Sequence, residues 1–557
     1  VINTNALIFF TILFERERKA IARGKGAWYK KLPRNQGILR PEREKAMKRK
    51  IRWTIGISGL FLLLLVFWFS PAQGAGAKKV ILMIGDGMGP QAVGLAIYYN
   101  RFMNGPEKPL HMERLMAAGN TGYCLTYQYG TVVTDSASAA TALASGVKTR
   151  DAIIGKDHDG RPMKTLVDIA QQQGKSTGVI SDTRLTHATP AAFYARSIHR
   201  DKENEIAAQL VERGDLTVAF SGGAQHFVPA GMKVEDHPDL KGIDKKAGWG
   251  GSKRKDSRDL IGEAKSKGYN TIANEKELTN MNTRTAEKVL GLFSASGFPS
   301  AIDRQSHHQT GVPTLSQLTE KALAIMNKNP RGFFLMVEGG QIDWVAHGND
   351  VASVLHEMME FDRAIGVALA FAATNPETLV VITADHDTGG LALAYSNYQP
   401  PLPVQLPSGE TWKTKYNFGG KGIFEKMAKQ KKSFQKMLRD SKGDPAALKK
   451  EVEINTAFSL SEEQAAAILA KDPRTGYPET KEYKEFYVSG LNTSMPLMGR
   501  LFGKEINTAW AVGTHTHTPV MVFGKGPGAE KLRGLLDNVD VPKIIAQGWG
   551  ASLPAPK

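Results

Sequence analysis

The chain has 557 residues, 41% of them hydrophobic, which excludes wholesale disorder and allows one large core or two domains. The formal net charge is +17, yet residues 1–77 hold 15 Lys or Arg against 4 Asp or Glu, which leaves only +6 on the remainder and no case for specific nucleic-acid binding. Cys124 is the single cysteine, so an intramolecular disulfide is excluded.

Residues 1–46 precede a complete signal pattern and are expected to be an over-extended reading frame or disordered. From Met47 the chain runs MKRKIRW, TIGISGLFLLLLVFWF, SPAQGAGA. This is a basic stretch, an apolar stretch (residues 54–69) and a small-residue end, Ala75-Gly76-Ala77. It predicts a secretory signal peptide over 47–77, cleaved before Lys78, and export to the periplasm or the extracellular space. The apolar stretch is shorter than the ~20 residues of a membrane span, so membrane contact is expected only if the signal stays uncleaved as an anchor.

From Lys78 onward, short β-branched runs recur: KKVILMIGDGMG (78–89), TGVISDT (177–183), LTVAFSGG (216–223), FFLMVEGG (333–340), TLVVITADHD (378–387) and PVMVFGKGP (519–527). Being apolar on both faces, they predict buried parallel strands. TGYCLTYQYG around Cys124 is strand-like too and predicts a buried, inert thiol. KTLVDIAQQQG (164–174) and residues 351–373 have helical spacing. The alternation predicts an α/β fold, a three-layer, open, mostly parallel sheet with helices on both faces, over 78–557. It fails between residues 391 and 512, where PPLPVQLPSG, a lysine-rich helix-like stretch (Lys421 to Lys450) and a capping box at Ser461 and Gln464 stand. This region is expected to be an inserted cap or crown acting as lid or interface, its lysines forming a solvated face.

In TVVTDSASAATALASGVKT (131–149) a strand is expected to give way to an alanine-rich helix at Asp135 and Ser136, residue types that commonly cap helices. Four strands border on cation-binding residues: Asp86, Glu338, Asp385-His386, and His515 or His517 in THTHTP. Ligands of open α/β sheets bind at the carboxyl ends of strands. Asp343 and His347, four apart in GGQIDWVAHGND, would share one helix face and suit one metal. Acids and imidazoles meeting in one crevice would cost several kcal/mol per buried charge without cations. Mixed Asp and His donors favour zinc and oxygen-rich donors favour magnesium, so one site of each kind, or two zincs with a magnesium, would fit.

Six ordered stretches, IGDGMG, TDSASAATALASGVKT, HATPAAFYARSIHR, VEGGQIDWVAH, VVITADHDTGG and THTHTPV, make the chain from about Lys78 to its end, outside the insert, resemble alkaline phosphatases of bacterial type. The resemblance implies metal-dependent hydrolysis of phosphate monoesters through a phosphoserine on Ser136, set at a helix N-terminus that favours an oxyanion. It implies one zinc on Asp86, Asp385 and His386, and a second on Asp343, His347 and His515, His515 being favoured over His517 by its spacing to the following strand. Arg200, rather than Arg196, would hold two phosphate oxygens, oriented by Asp135. Magnesium would take Asp86, Thr189 and Glu338. His187, counted with the metal residues, stands where some relatives carry Asp, and Trp344 where some carry Lys or His. A homodimer is also implied. The alternatives are a phosphodiesterase of the same superfamily and a non-catalytic, secreted metal- or phosphate-binding protein. Diesterases often carry Thr as nucleophile, and the sulfatase pattern C/S-x-P-x-R is absent at Ser136.

Overall fold

The computed structural model describes residues 76–243, 250–306, 311–470 and 494–553. Residues 1–46, the signal segment up to residue 75 and residues 471–493 of the insert lie outside the described residues.

In chain order the strands are β1 (Lys79–Gly85), β2 (Thr121–Leu125), β3 (Ser176–Arg184), β4 (Val218–Gly222), β5 (Asn270–Ile272), β6 (Val289–Leu292), β7 (Phe333–Gly339) and β8 (Thr378–Ala384). The two-residue β9 (Asp387–Thr388), then β10 (Leu391–Leu393), β11 (Val404–Gln405), β12 (Thr411–Trp412), β13 (Thr508–Trp510), β14 (His515–Thr516), β15 (Val520–Lys525) and β16 (Gly534–Asp537) follow. Ten of them form one sheet in the order β16-β2-β15-β8-β1-β7-β3-β4-β6-β5.

β1, β7 and β8 are buried along their whole length, as their unbroken apolar sequences require. Two groups of helices cover the sheet. In one, the long helix Val351–Thr374 packs against Leu315–Met326 and Pro90–Asn104; in the other, Ser136–Ser145 packs against Ala188–Tyr194 and Asp540–Gly548. The α/β architecture expected from the alternation is thus present.

One direction differs from the expectation. β15, the PVMVFGKGP run, lies antiparallel to both β8 and β2, while the other pairings in the sheet are parallel. A strand buried on both faces has the same apolar pattern in either direction, so periodicity could not reveal this. The connection decides it: β13 pairs with β10 and β14 with β9, just beyond the carboxyl end of β8, so the chain returns at that end and must run back down the sheet.

The β10–β13 pair, with Leu391 opposite Trp510, closes the insert at its base. The lysine-rich stretch, expected as one helix-like run, is three helices, Lys421–Ala428, Phe434–Asp440 and Pro445–Asn455. Lys432 pairs with Asp440 and Glu451, and Lys436 with Asp440, so these lysines are engaged within the chain. Ser461 and Gln464 form the expected capping box. Among the described residues, no helix is long and apolar enough to cross a membrane.

Candidate active site

Asp135 and Ser136 stand at the start of the helix Ser136–Ser145. The stretch before them is a loop rather than the expected strand, and Asp135 is the N-cap, its Oδ1 accepting from Ser138 N at 2.9 Å. Gln128 Oε1 accepts from Ser138 Oγ at 2.5 Å and Asp135 N at 3.3 Å, which pins this turn from outside. All ten helix residues are buried, and their small side chains let the helix lie close against Ala188–Tyr194. Ser136 is the first helical residue, and its Oγ lies 3.2 Å from His386 Nε2.

Three clusters of donor atoms surround this point: Asp343, His347 and His515; Asp86, Asp385 and His386; and Asp86, His187 and Glu338. They meet because Asp86, Glu338 and Asp385 stand at the carboxyl ends of the adjacent parallel strands β1, β7 and β8. The helix Gln341–His347 follows β7 directly and places Asp343 and His347 one turn apart, as expected. His515 arrives on β14 and belongs to the first cluster; His517 is exposed and belongs to none.

In the first cluster the donor atoms are 3.3 Å apart for His347 Nε2 and Asp343 Oδ2, 3.6 Å for His515 Nε2 and Asp343 Oδ1, and 3.3 Å for the two Nε2 atoms. In the second, His386 Nε2 is 3.2 Å from Asp385 Oδ2 and 3.5 Å from Asp86 Oδ1. Donors bound at zinc distances around a tetrahedron are about 3.3 Å from one another. His347 Nδ1 faces the carbonyl of Gly513 at 2.7 Å and His515 Nδ1 that of Thr134 at 2.8 Å. A carbonyl only accepts, so each ring donates from Nδ1 and turns Nε2 to the cluster.

Buried oxygens without a hydrogen-bond partner concentrate here: Asp86 Oδ1, Asp385 Oδ2 and Glu338 Oε1. Burial, then the neighbouring carboxylates, pushes Asp86 well above the usual carboxylate range, and burial with Asp343 pushes Asp385 up to about 7. Burial drives His386 down to about 4 and His515 to about 3, leaving neutral imidazoles. Burial opposes ionisation of the Asp343–His347 pair, but their mutual attraction wins, lowering Asp343 and raising His347. Metal ligands must be deprotonated, and a cation would replace the proton these groups otherwise share. The donor sets therefore fit metal ions.

Arg200 Nη1 donates to Asp135 Oδ2 at 3.1 Å, and its Nη2 lies 3.1 Å from His187 Nε2. Because a guanidinium only donates, His187 accepts at Nε2 and carries its proton on Nδ1, which faces Glu338 Oε1 at 3.9 Å; in this arrangement the ring offers no lone pair to the third cluster, contrary to its expected place among the metal residues. Arg196 is instead bound to Asp168, away from this group. Thr189 Oγ1 reaches Asp86 Oδ2 at 3.4 Å, and Trp344 stands edge-on to His187 with ring centres 5.7 Å apart. Sequence reasoning passed over Gln128, and also Ser181 and Thr183, whose hydroxyls hold Glu338 Oε2. It also passed over Thr388, whose one available signal was its place two residues beyond His386.

Residues 77–549 match the family model described as alkaline phosphatase. Alkaline phosphatase 4 of Bacillus subtilis (strain 168) is 32% identical over 478 residues, covering 84% of this chain and 88% of its own. The repressible alkaline phosphatase of Saccharomyces cerevisiae is 34% identical over 415 residues, covering 69% and 70%. Among solved structures, Thermus thermophilus alkaline phosphatase superposes with a TM-score of 0.72 at 27% identity, covering 87% of this chain and 94% of that one. A cold-active alkaline phosphatase from the psychrophile Shewanella sp. gives 0.63 at 28% identity, covering 86% and 100%.

Proposed function

The chain belongs to the alkaline phosphatase family and is a metal-dependent hydrolase of phosphate monoesters, and we propose that Ser136 is its nucleophile, working between two zinc sets and one magnesium set. Asp343, His347 and His515 would hold one zinc, Asp86, Asp385 and His386 the other, and Asp86, Thr189 and Glu338 the magnesium; bound there, the ions would acidify the serine hydroxyl and a water and neutralise the leaving oxygen. The observation that carries this reading is the set of buried carboxylate oxygens without partners, set among donors at metal-ligand spacing around Ser136 Oγ.

Ser136 Oγ attacks phosphorus as the bond to the leaving alkoxide breaks, giving a phosphoserine and an alcohol once the alkoxide gains a proton. Water then attacks the same phosphorus and returns the serine with inorganic phosphate. Arg200 presents its fork to two phosphate oxygens, held at the angle set by Asp135 and His187. Ser138 N is taken by the Asp135 cap, so the amides of Ser136 and Ala137 are the ones at the helix start that remain for a phosphate oxygen.

A homodimer formed through the insert is part of this reading. Tyr395, Tyr416 and Phe418 pack on one another with centroids 5.2 to 6.4 Å apart while each stays exposed, a patch suited to a second copy. Light scattering checks it. Export is supported by the pattern over residues 47–77, and the N-terminal residue of protein recovered from outside the cytoplasm tests it.

The deciding experiment compares an aryl phosphate monoester, its diester and the aryl sulfate at mildly alkaline pH, before and after chelation and zinc plus magnesium repletion. Monoesterase activity well above the other two, lost and regained with the metals, supports the reading. Diesterase activity in excess would reassign the chain within its superfamily.

A further inference from the structure

One histidine ring of the two proposed zinc sets is held differently from the others. His347 and His515 are fixed by backbone carbonyls, but His386 has no carbonyl at its Nδ1; the hydroxyl of Thr388 stands there instead, at 3.3 Å. The same hydroxyl lies 2.5 Å from Asp343 Oδ1, in the other cluster. Asp343 as a carboxylate only accepts, so Thr388 donates to it, and its oxygen is left to accept from His386 Nδ1–H. The run is therefore His386 Nδ1–H to Thr388 Oγ1, and Thr388 Oγ1–H to Asp343 Oδ1. It turns the His386 lone pair at Nε2 toward Asp86, Asp385 and Ser136.

We propose that Thr388 is a positioning residue that couples the two zinc sets, fixing the ring of His386 and one oxygen of Asp343 through a single hydroxyl. This rests on the metal reading above. Its backbone adds a third tie: Thr388 on β9 is the register partner of His515 on β14, so one residue touches ligands from three separate parts of the chain. Gly87 shows how closely the hydroxyl is held. It has φ +70°, and a Cβ there would lie 2.8 Å from Thr388 Oγ1 and 2.9 Å from the Asp343 Cα. Thr388 is itself buried, which keeps water from replacing its hydroxyl.

The test compares full-chain wild type with Thr388→Val, which keeps the shape and removes the hydroxyl, and Thr388→Ser, which keeps the hydroxyl. Thr388→Ala stands in should valine prevent folding. Zinc affinity is read by competition with a chromogenic chelator, and ligand geometry by the visible absorption of the cobalt(II)-substituted protein. Residues that orient metal ligands typically carry about 10- to 100-fold in affinity. Thr388→Val is expected to lose at least about tenfold in zinc affinity and to shift the cobalt bands, with Thr388→Ser close to wild type in both. A valine variant with wild-type affinity and spectrum overturns the proposal, as does a serine variant as impaired as valine, which would assign the effect to the methyl group. A wild-type chain that takes up neither zinc nor cobalt overturns the metal reading itself.

Discussion

The hydroxyl of Ser136 lies 3.2 Å from Nε2 of His386, the atom that also faces Asp86 and Asp385. The proposed nucleophile and a proposed metal-ligand atom are thus within hydrogen-bond reach of each other, on residues 250 positions apart. Ser136→Ala should cut turnover of an aryl phosphate by about a thousandfold or more. Its zinc content and thermal midpoint should stay near wild type, because among the described residues the lost hydroxyl meets only that ring. Retained turnover in the folded, metal-loaded variant would remove Ser136 from its role.

Two arginines of one motif should separate in their effects. Arg200→Ala should raise KM for a monoester by at least about tenfold, and Arg200→Lys should recover little of it, because a point charge does not replace a planar fork. Arg196, bound to Asp168, should act on stability instead: Arg196→Ala lowers the thermal midpoint and leaves KM nearly unchanged. Steady-state kinetics beside thermal melts give both readouts, and a reversed pattern would reassign the phosphate site.

Chelation should destabilise the protein as well as silence it. Removing cations leaves Asp86, Asp385 and Glu338 oxygens buried without partners, so the thermal midpoint should fall and return on zinc and magnesium addition, following ligand linkage. A midpoint indifferent to chelation would argue against occupied sites.

Cys124 gives the alkaline limb a definite sign. Burial, with Asp537 adding to it, raises its thiol from 9.0 to about 12. The folded chain thus favours the thiol. That contribution is fully present below about pH 9 and is lost as pH rises toward 12, at a rate near 1.4 kcal/mol per unit. Wild type should therefore lose about 2 kcal/mol more than Cys124→Ala between pH 8 and 10.5 in urea unfolding. The native thiol should also resist iodoacetamide until the protein unfolds. Equal slopes in the two proteins would contradict the buried-thiol account.

Gly87→Ala should be far costlier than an ordinary glycine replacement. The backbone is left-handed at φ +70°, and the new methyl would press on Thr388 and Asp343. Zinc content and activity should drop together, with a lower melting point. An unaffected variant would show that this corner of the site has room the structure does not display.

Much of this was legible because the site is built where strands end. Asp86, Glu338, Asp385 and His386 each follow an apolar run, and Asp343 and His347 carry helical spacing, so their residue types and positions predict convergence. The direction of β15 was not legible, since Val520 to Gly524 have the same apolar pattern either way. The choice of Arg200 over Arg196 came from the family motif and not from residue chemistry, since the two differ only in which carboxylate the fold brings to them, Asp135 or Asp168. Thr388 was hidden for a related reason. A hydroxyl's importance lies in what faces it, and Asp343 is 45 residues away.

The antiparallel course of β15 bears on how the molecule comes into being. Because that strand begins where the parallel ones finish, His515 completes a candidate ligand set whose other members, Asp343 and His347, leave the ribosome well before it. A chain that ends between residues 347 and 515 carries two of the three donors of that proposed set and lacks β15, which lies between β8 and β2. Three-donor capture of an ion at that set would therefore require a chain made at least as far as residue 515.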